Sequence, residues 1–187
     1  MKVLRRLLAT LACLLPVVTG IVVIGSGTAY ALGPGRICMF NAPSAVLGAG
    51  HVGWAFEVGT SGQWVFGATD DNAAGDYAVP PGQYNGAWTG SGDFTAARNT
   101  FRDSSIGYTR YRCKNTPTSA VGGATQLAND AKNWGYTAFG NNCLDHAWTI
   151  LTAYRGGEMP DPWSNIIPNN FFGYGLDDYG WERIVLL

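Results

Sequence analysis

The fold is most constrained by one segment of the chain, GHVGWAFEVGTSGQWVFGATDD. Val52, Trp54 and Phe56 alternate with small or polar residues in its first half. Trp64 and Phe66 resume the alternation after a glycine-bounded turn. A period of two is typical of strands with a buried face, and two such runs joined by a turn predict a β-hairpin.

Helical patterns come mainly after the strand-like ones. Strand-like runs are expected in the hairpin, at 107–115 and at 181–187, and helices at 93–103, 118–135 and 143–155. The stretches 73–92 and 158–175 are rich in glycine, proline and aromatic residues and read as loop or irregular structure. Strands early and helices late indicate an α+β fold, in which an antiparallel sheet packs against a helix with a cysteine at its N-terminus.

That cysteine lies in GNNCLDHAWTIL, where a helix is expected to begin. Asn142 is a favoured N-cap type, and Asp145 three residues later resembles the acidic member of a capping box. Cys143 then occupies the first helical position, where free N–H groups and the helix dipole favour an anion. The position suits either a reactive thiolate or one half of a disulfide.

The first residues resemble a secretory leader. Lys2, Arg5 and Arg6 precede an apolar run, and Ala29-Tyr30-Ala31 forms an A-x-A cleavage site. We therefore expect residues 1–31 to be a signal peptide and residues 32–187 to be one secreted, extracellular domain, with no stable membrane insertion after cleavage. An uncleaved membrane anchor is the alternative. The formal net charge of −1 gives no indication of nucleic-acid binding.

Three cysteines follow the expected cleavage site: Cys38, Cys113 and Cys143. An odd number in an oxidising compartment leaves one thiol unpaired or bonded to another chain. Cys113 lies in a strand-like run, and neither it nor Cys38 has a helix start beside it. We therefore expect a Cys38–Cys113 disulfide and a free Cys143, although the spacing permits any pairing of the three.

A cysteine nucleophile needs a base that accepts and later returns a proton, and histidine suits both steps. The chain has two, His51 and His146. His51 opens the first strand of the hairpin, where it can face a groove between the sheet and a packed helix. His146 lies beside Cys143 by i,i+3 spacing, which leaves little room for a substrate between them. We assign the base to His51.

His51-Val52-Gly53, followed much later by Asn141-Asn142-Cys143, resembles the circularly permuted papain-like thiol enzymes. These include lecithin retinol acyltransferase-type and PPPDE-type proteins, and the NlpC-type cell-wall endopeptidases are unpermuted relatives. In the permuted group a histidine on a strand precedes the cysteine at a helix start. The resemblance implies that His51 is the base and Cys143 the nucleophile.

The resemblance also implies a polar group on a neighbouring strand that orients the histidine. If the hairpin pairs Val58 with Gln63, Asp70 lies opposite His51. A slip of one residue would bring Thr69 or the residue after Asp70 there instead, and Asp70 is also a common turn residue.

The remaining candidate residues surround the cysteine. The backbone N–H of Cys143 is the natural donor to an oxyanion, and Asn141 or Asn142 could add a side-chain donor or simply form a turn. Trp88, in a predicted loop, is the candidate substrate-lining ring. A lone Cys-x-x-His does not indicate a metal site, and we expect neither a metal nor another cofactor.

These observations predict a monomeric, secreted Cys–His thiol hydrolase that acts on an amide or ester through an acyl-enzyme on Cys143. A peptide or cell-wall amide is the leading substrate class, by analogy only. The alternatives are a lipid or amide acyltransferase of the same fold, and a non-catalytic secreted binding module stabilised by a disulfide.

Overall fold

A six-stranded antiparallel sheet forms the centre of the fold in the computed structural model, which describes residues 33–70, 78–155 and 159–187. The strand order is β5-β3-β2-β1-β6-β8, and a separate two-stranded ribbon pairs β4 with β7. The strands are β1 (Gly35–Ala42), β2 (His51–Glu57), β3 (Gln63–Thr69), β4 (Ala78–Val79), β5 (Ala87–Asp93), β6 (Arg110–Thr116), β7 (Tyr136–Thr137) and β8 (Val185–Leu186). The predicted α+β class with an antiparallel sheet is therefore confirmed.

Helices cover both faces of this sheet. The α-helices are α1 (Phe94–Asp103), α2 (Val121–Asp130), α3 (Cys143–Arg155) and the short α4 (Pro168–Asn170), which leads into a π-helical turn (Phe171–Gly175). Single 3₁₀ turns occur at Val46–Gly48, Ala131–Asn133, Pro162–Ser164 and Asp177–Tyr179. One core cluster fills the space between the sheet and α2 and α3, and a second lies under α1 on the opposite face.

The two halves of the hairpin turn their large side chains to opposite faces. Trp54 and Phe56 pack in the core against α3, whereas Trp64 and Phe66 pack in the core under α1. The register explains this difference, because Phe66 pairs with Ala55 and not with Trp54 or Phe56. The alternation predicted in each half of the hairpin is confirmed. The large residues of the two halves lie on opposite faces because this sheet is covered by helices on both faces.

Small residues let α1 approach the sheet closely. A Cβ atom on Gly53 would lie 2.4 Å from the Phe101 ring, which is shorter than any ordinary contact. The Phe101 ring in turn stacks on Phe40 of β1, with centroids 4.0 Å apart. Gly53 therefore allows an aromatic layer to form directly on the strand that begins with His51.

The predicted disulfide between Cys38 and Cys113 is confirmed. The two residues are directly opposed in the pairing of β1 with β6, their Cα atoms are 4.0 Å apart, and both are buried. Cys143 is free and buried. A disulfide is compatible with an oxidising, extracellular compartment.

Other sequence predictions agree only in part. Helix α1 begins as expected, with the Asp93 carboxylate accepting a hydrogen bond from the Ala96 N–H at 2.7 Å. The predicted helix at 118–135 is shorter, since α2 ends at Asp130 and a 3₁₀ turn follows. The predicted final strand is reduced to β8, and strands β1 and β5 were not anticipated.

The predicted leader, residues 1–31, lies outside the described residues. Within the described ranges, no helix combines the length and apolarity needed to cross a bilayer.

Removal of the disulfide should destabilise the fold without disturbing the free thiol. The bond closes a loop between residues 75 positions apart, so Cys38→Ala/Cys113→Ala should lower the free energy of unfolding by about 2–5 kcal/mol. Urea unfolding measures this change. A reductant should reproduce it in the wild-type protein and in a Cys143→Ala control. If the reductant destabilised the double variant as much as the wild-type protein, the disulfide assignment would be wrong.

Candidate active site

The start of α3 is built by Asn142 and Asp145. The Asn142 Oδ1 accepts hydrogen bonds from the Leu144 and Asp145 N–H groups, at 2.8 and 3.4 Å. The Asp145 Oδ2 accepts the Asn142 N–H at 2.9 Å, which completes a reciprocal capping box with aspartate in place of glutamate. Cys143 is thereby held at the first helical position, where the helix dipole stabilises a negative charge.

Three groups from other elements contact the Cys143 sulfur. The His51 ring hydrogen-bonds with it from the first residue of β2, and the next residue, Val52, donates its backbone N–H. The Tyr136 hydroxyl, from β7, is the third partner. The thiol is 3% exposed, so this small polar shell decides its charge.

Asp70 holds the other side of the His51 ring. Its Oδ1 lies 3.0 Å from the His51 Nε2 and accepts the Tyr108 hydroxyl at 2.8 Å, and its Oδ2 accepts the Trp88 Nε1–H. Because Nε2 faces Asp70, Nδ1 is the nitrogen available to the sulfur. The hairpin has the register that brings these residues together, since the Val58 N–H donates to the Gln63 carbonyl at 2.7 Å.

Mutual attraction shifts the pKa values of Cys143 and His51 in opposite directions. Burial by itself would lower the pKa of His51, but the Cys143 charge and the hydrogen bond to Asp70 raise it to about 10. Burial would likewise raise the pKa of Cys143, and the adjacent His51 cation outweighs this effect and lowers it. Each shift therefore favours the charged form of its group, a thiolate beside an imidazolium.

Tyr108 remains a hydrogen-bond donor in this environment. Burial and the neighbouring Asp70 charge raise the pKa of its phenol well above the ordinary value. Its ring also meets His51 edge-on, with centroids 5.9 Å apart. Tyr108 therefore both orients the carboxylate and packs against the imidazole that the carboxylate holds.

His146 is a buried structural residue beside this cluster. Its Nε2 lies 2.9 Å from the Asn141 Oδ1, and its Nδ1 lies 2.9 Å from the Thr69 hydroxyl. Burial without a charged partner lowers its pKa to about 4. Since both ring nitrogens are engaged, the Cys-x-x-His spacing forms no metal pair, and no group of three His, Cys, Asp or Glu within the described ranges could hold a metal ion.

Several predicted site residues occupy different places from those expected. Trp88 belongs to β5 rather than to a loop, and its Nε1–H donates a hydrogen bond to Asp70. The Asn142 Oδ1 caps the helix, and its Nδ2 donates to the Ala138 carbonyl at 3.1 Å. The Asn141 Nδ2 donates to the Trp134 carbonyl at 3.0 Å, so each asparagine amide already donates to a backbone carbonyl. Thr69, considered as an alternative to Asp70, pairs with His146 instead.

Two tyrosines of the site were not identified from the sequence. Tyr108 precedes β6 and Tyr136 lies in the short β7, far along the chain from the residues they contact. Their positions depend on pairings between distant strands. No local pattern in either segment signals a site, apart from a tyrosine at the edge of a predicted strand.

A cleft of about 420 Å³ opens beside Cys143 and His51. Its lining is mainly apolar, and several large apolar side chains at its rim are well exposed: Val46, Phe139, Ile166 and Ile167. Such side chains rarely cluster on the surface of a soluble protein unless they bind something.

The loop before His51 forms one wall of this cleft and has an unusual backbone. Val46 and Leu47 have positive φ angles of 49° and 54°, which residues other than glycine seldom adopt. Asn169 fastens this loop by donating to the Pro43 and Gly48 carbonyls at 2.9 and 2.8 Å. Strained backbone held in this way is common where a binding surface needs a defined shape.

The thiolate should depend on His51 and not on His146. His51→Gln removes the cation that offsets burial, so the pH midpoint of Cys143 alkylation should move upward, above that of a free cysteine. Iodoacetamide rates measured across pH 5–10 test this expectation. His146→Gln is the matched control and should keep the wild-type midpoint. A midpoint that follows His146 instead would reverse the assignment.

His146 should make the fold sensitive to acid. Its folded pKa of about 4 lies below the unfolded value of about 6.5, so protons bind preferentially to the unfolded chain between these values. Stability that is present above pH 6.5 is therefore lost as the pH falls to 4, by up to about 3 kcal/mol from this residue. Urea unfolding at pH 4.5 and 7 should show a smaller difference for His146→Gln than for the wild type. Equal differences would contradict this role.

The chain was also compared with other proteins. No protein-family model, curated protein or solved structure matches it. The geometry around Cys143 is therefore the basis for assigning a function.

Proposed function

We propose that this protein is a Cys–His thiol hydrolase that cleaves an amide or ester through an acyl-enzyme on Cys143. The observation that carries the proposal is the buried chain Cys143–His51–Asp70 at the edge of an open cleft. A paired thiolate and imidazolium is costly to bury, and such pairs supply both a nucleophile and a proton donor.

The reaction follows from these positions. The Cys143 thiolate attacks the substrate carbonyl carbon, and the carbonyl oxygen becomes an oxyanion. We assign the Cys143 N–H, at the helix start, and the Tyr136 hydroxyl, beside the sulfur, as the donors to that charge. The His51 imidazolium then gives its proton to the departing nitrogen or oxygen, and the carbon–leaving-group bond breaks. Neutral His51 takes a proton from water, whose oxygen attacks the thioester and releases the acid and the thiolate.

The order of the groups supports a permuted papain-like relationship. A histidine that begins a strand precedes a cysteine that begins a helix, and an acidic residue directly after the adjoining strand orients the histidine. In this proposal Asp70 is the third member of the triad, and secretion exposes the enzyme to extracellular peptides or cell-wall amides. The Cys38–Cys113 disulfide is compatible with that compartment.

The apolar cleft favours a second candidate, transfer or hydrolysis of an apolar acyl group. No lysine or arginine lines the cleft among the described residues, and Phe139 is 80% exposed at its rim. An apolar acyl chain, or an apolar side chain next to the scissile amide, would bury this surface. An acyltransferase differs from a hydrolase only in the acceptor that resolves the thioester.

A panel of chromogenic substrates distinguishes these candidates. We expect turnover of p-nitrophenyl esters or peptide anilides, with a covalent acyl adduct on Cys143 visible by mass spectrometry. Cys143→Ala should abolish turnover, and His51→Gln should reduce kcat/KM by about 100- to 10,000-fold. Asp145→Asn keeps an oxygen acceptor for the helix cap and serves as a control at the same helix end.

The preferred substrate separates the acyltransferase from the amide hydrolase. Faster reaction with longer acyl chains, and ester formation with an added alcohol, would assign acyl transfer. A preference for peptide anilides would assign the amide hydrolase. A thiol that alkylates slowly and forms no adduct with any substrate would overturn both and leave the binding module.

A further inference from the structure

A second pocket lies beside the N-terminal turn of α3, apart from the apolar cleft. Its volume is about 320 Å³, and three tryptophans line it together with polar groups. We call it the tryptophan pocket, after Trp134, Trp148 and Trp163. None of these residues contacts the Cys143 sulfur or belongs to the mechanism proposed above.

The three rings surround a space instead of filling it. Trp148 is anchored by its Nε1–H, which donates to the Pro160 carbonyl at 2.6 Å, and Trp134 is anchored edge-on against His146, with centroids 5.1 Å apart. Trp163 is 68% exposed. Trp134 and Trp148 are partly buried against the core, and among the described residues no two of these three rings stack on one another, so each contributes its remaining surface to the pocket.

The pocket carries a negative charge. Asp145 is the one carboxylate that lines it, and no lysine or arginine does so among the described residues. His146, at its base, is neutral above about pH 4 because burial lowers its pKa. Asp145 uses its Oδ2 for the helix cap, so the carboxylate that lines the pocket is held in place.

We propose that the tryptophan pocket binds a quaternary or N-methylated ammonium group. Tryptophan faces attract cations more strongly than other rings do, and several rings with a carboxylate form the aromatic cages that hold such ligands. A methylated ammonium has few or no N–H groups to satisfy. It therefore loses little when it leaves water for a site of ring faces and one carboxylate.

The test uses choline and its neutral isostere, 3,3-dimethylbutan-1-ol, with the unmodified protein. Binding is followed by NMR through the tryptophan indole N–H signals. We expect choline to bind with a Kd of about 1–10 mM, and the isostere, which has the same shape without the charge, to bind at least about 5-fold more weakly. N-acetylglucosamine is included because aromatic pockets can also stack sugars.

Substitutions locate the site. Trp163→Leu should weaken choline binding about 5-fold, whereas Trp163→Phe should retain most of it. Tyr174→Leu removes a comparably exposed ring outside the pocket, so it should leave binding unchanged. Equal affinity for choline and its isostere, stronger binding of the sugar, or no effect of Trp163→Leu would overturn the proposal. Since binding is the readout, these outcomes do not depend on whether Cys143 is catalytic.

Discussion

The carboxylate of Asp70 is the group on which the rest of the site depends. Among the described residues it is the carboxylate that hydrogen-bonds the far side of the His51 ring, and it is held by hydrogen bonds from Tyr108 and Trp88. A buried imidazolium is costly unless charges on both sides compensate it. Asp70 and the thiolate form of Cys143 provide that compensation, so each member of the chain favours the charged form of the next.

The antiparallel sheet explains how these residues meet. His51 begins β2 and Asp70 directly follows β3, and the start of β5 pairs with the end of β3. Tyr108 precedes β6, whose start pairs with the end of β1 beside His51. In an antiparallel sheet one strand begins where its neighbour ends, so these residues lie at the same end of the sheet. The N-terminus of α3 points toward this end. Residues spread over 93 positions of sequence, from His51 to Cys143, therefore converge there.

The features that could be predicted from the sequence are those set by neighbours in the chain. The cap of α3, the strand alternation and the hairpin register depend on short spacings, and the register gives the opposition of His51 and Asp70. The roles of Trp88, Tyr108 and Tyr136 depend on pairings between distant strands, which local patterns do not encode. The sequence also did not show on which face of the sheet Trp64 packs, because alternation identifies a buried face without saying which helix covers it.

The two histidines demonstrate that partners, not burial, decide the charge of a buried imidazole. Both are at most 4% exposed, yet their pKa values diverge to about 10 for His51 and about 4 for His146. The Asn141 Oδ1 can only accept, so the His146 Nε2 carries the proton and its Nδ1 accepts the Thr69 hydroxyl. This neutral tautomer ties the end of β3, next to Asp70, to the loop that leads into Cys143. A second proton on His146 would reverse the hydrogen bond, with Nδ1 donating to the Thr69 hydroxyl. The link between the two halves of the site would remain, but it would then hold a buried charge with no opposite charge beside it, and for that reason the structural histidine stays neutral.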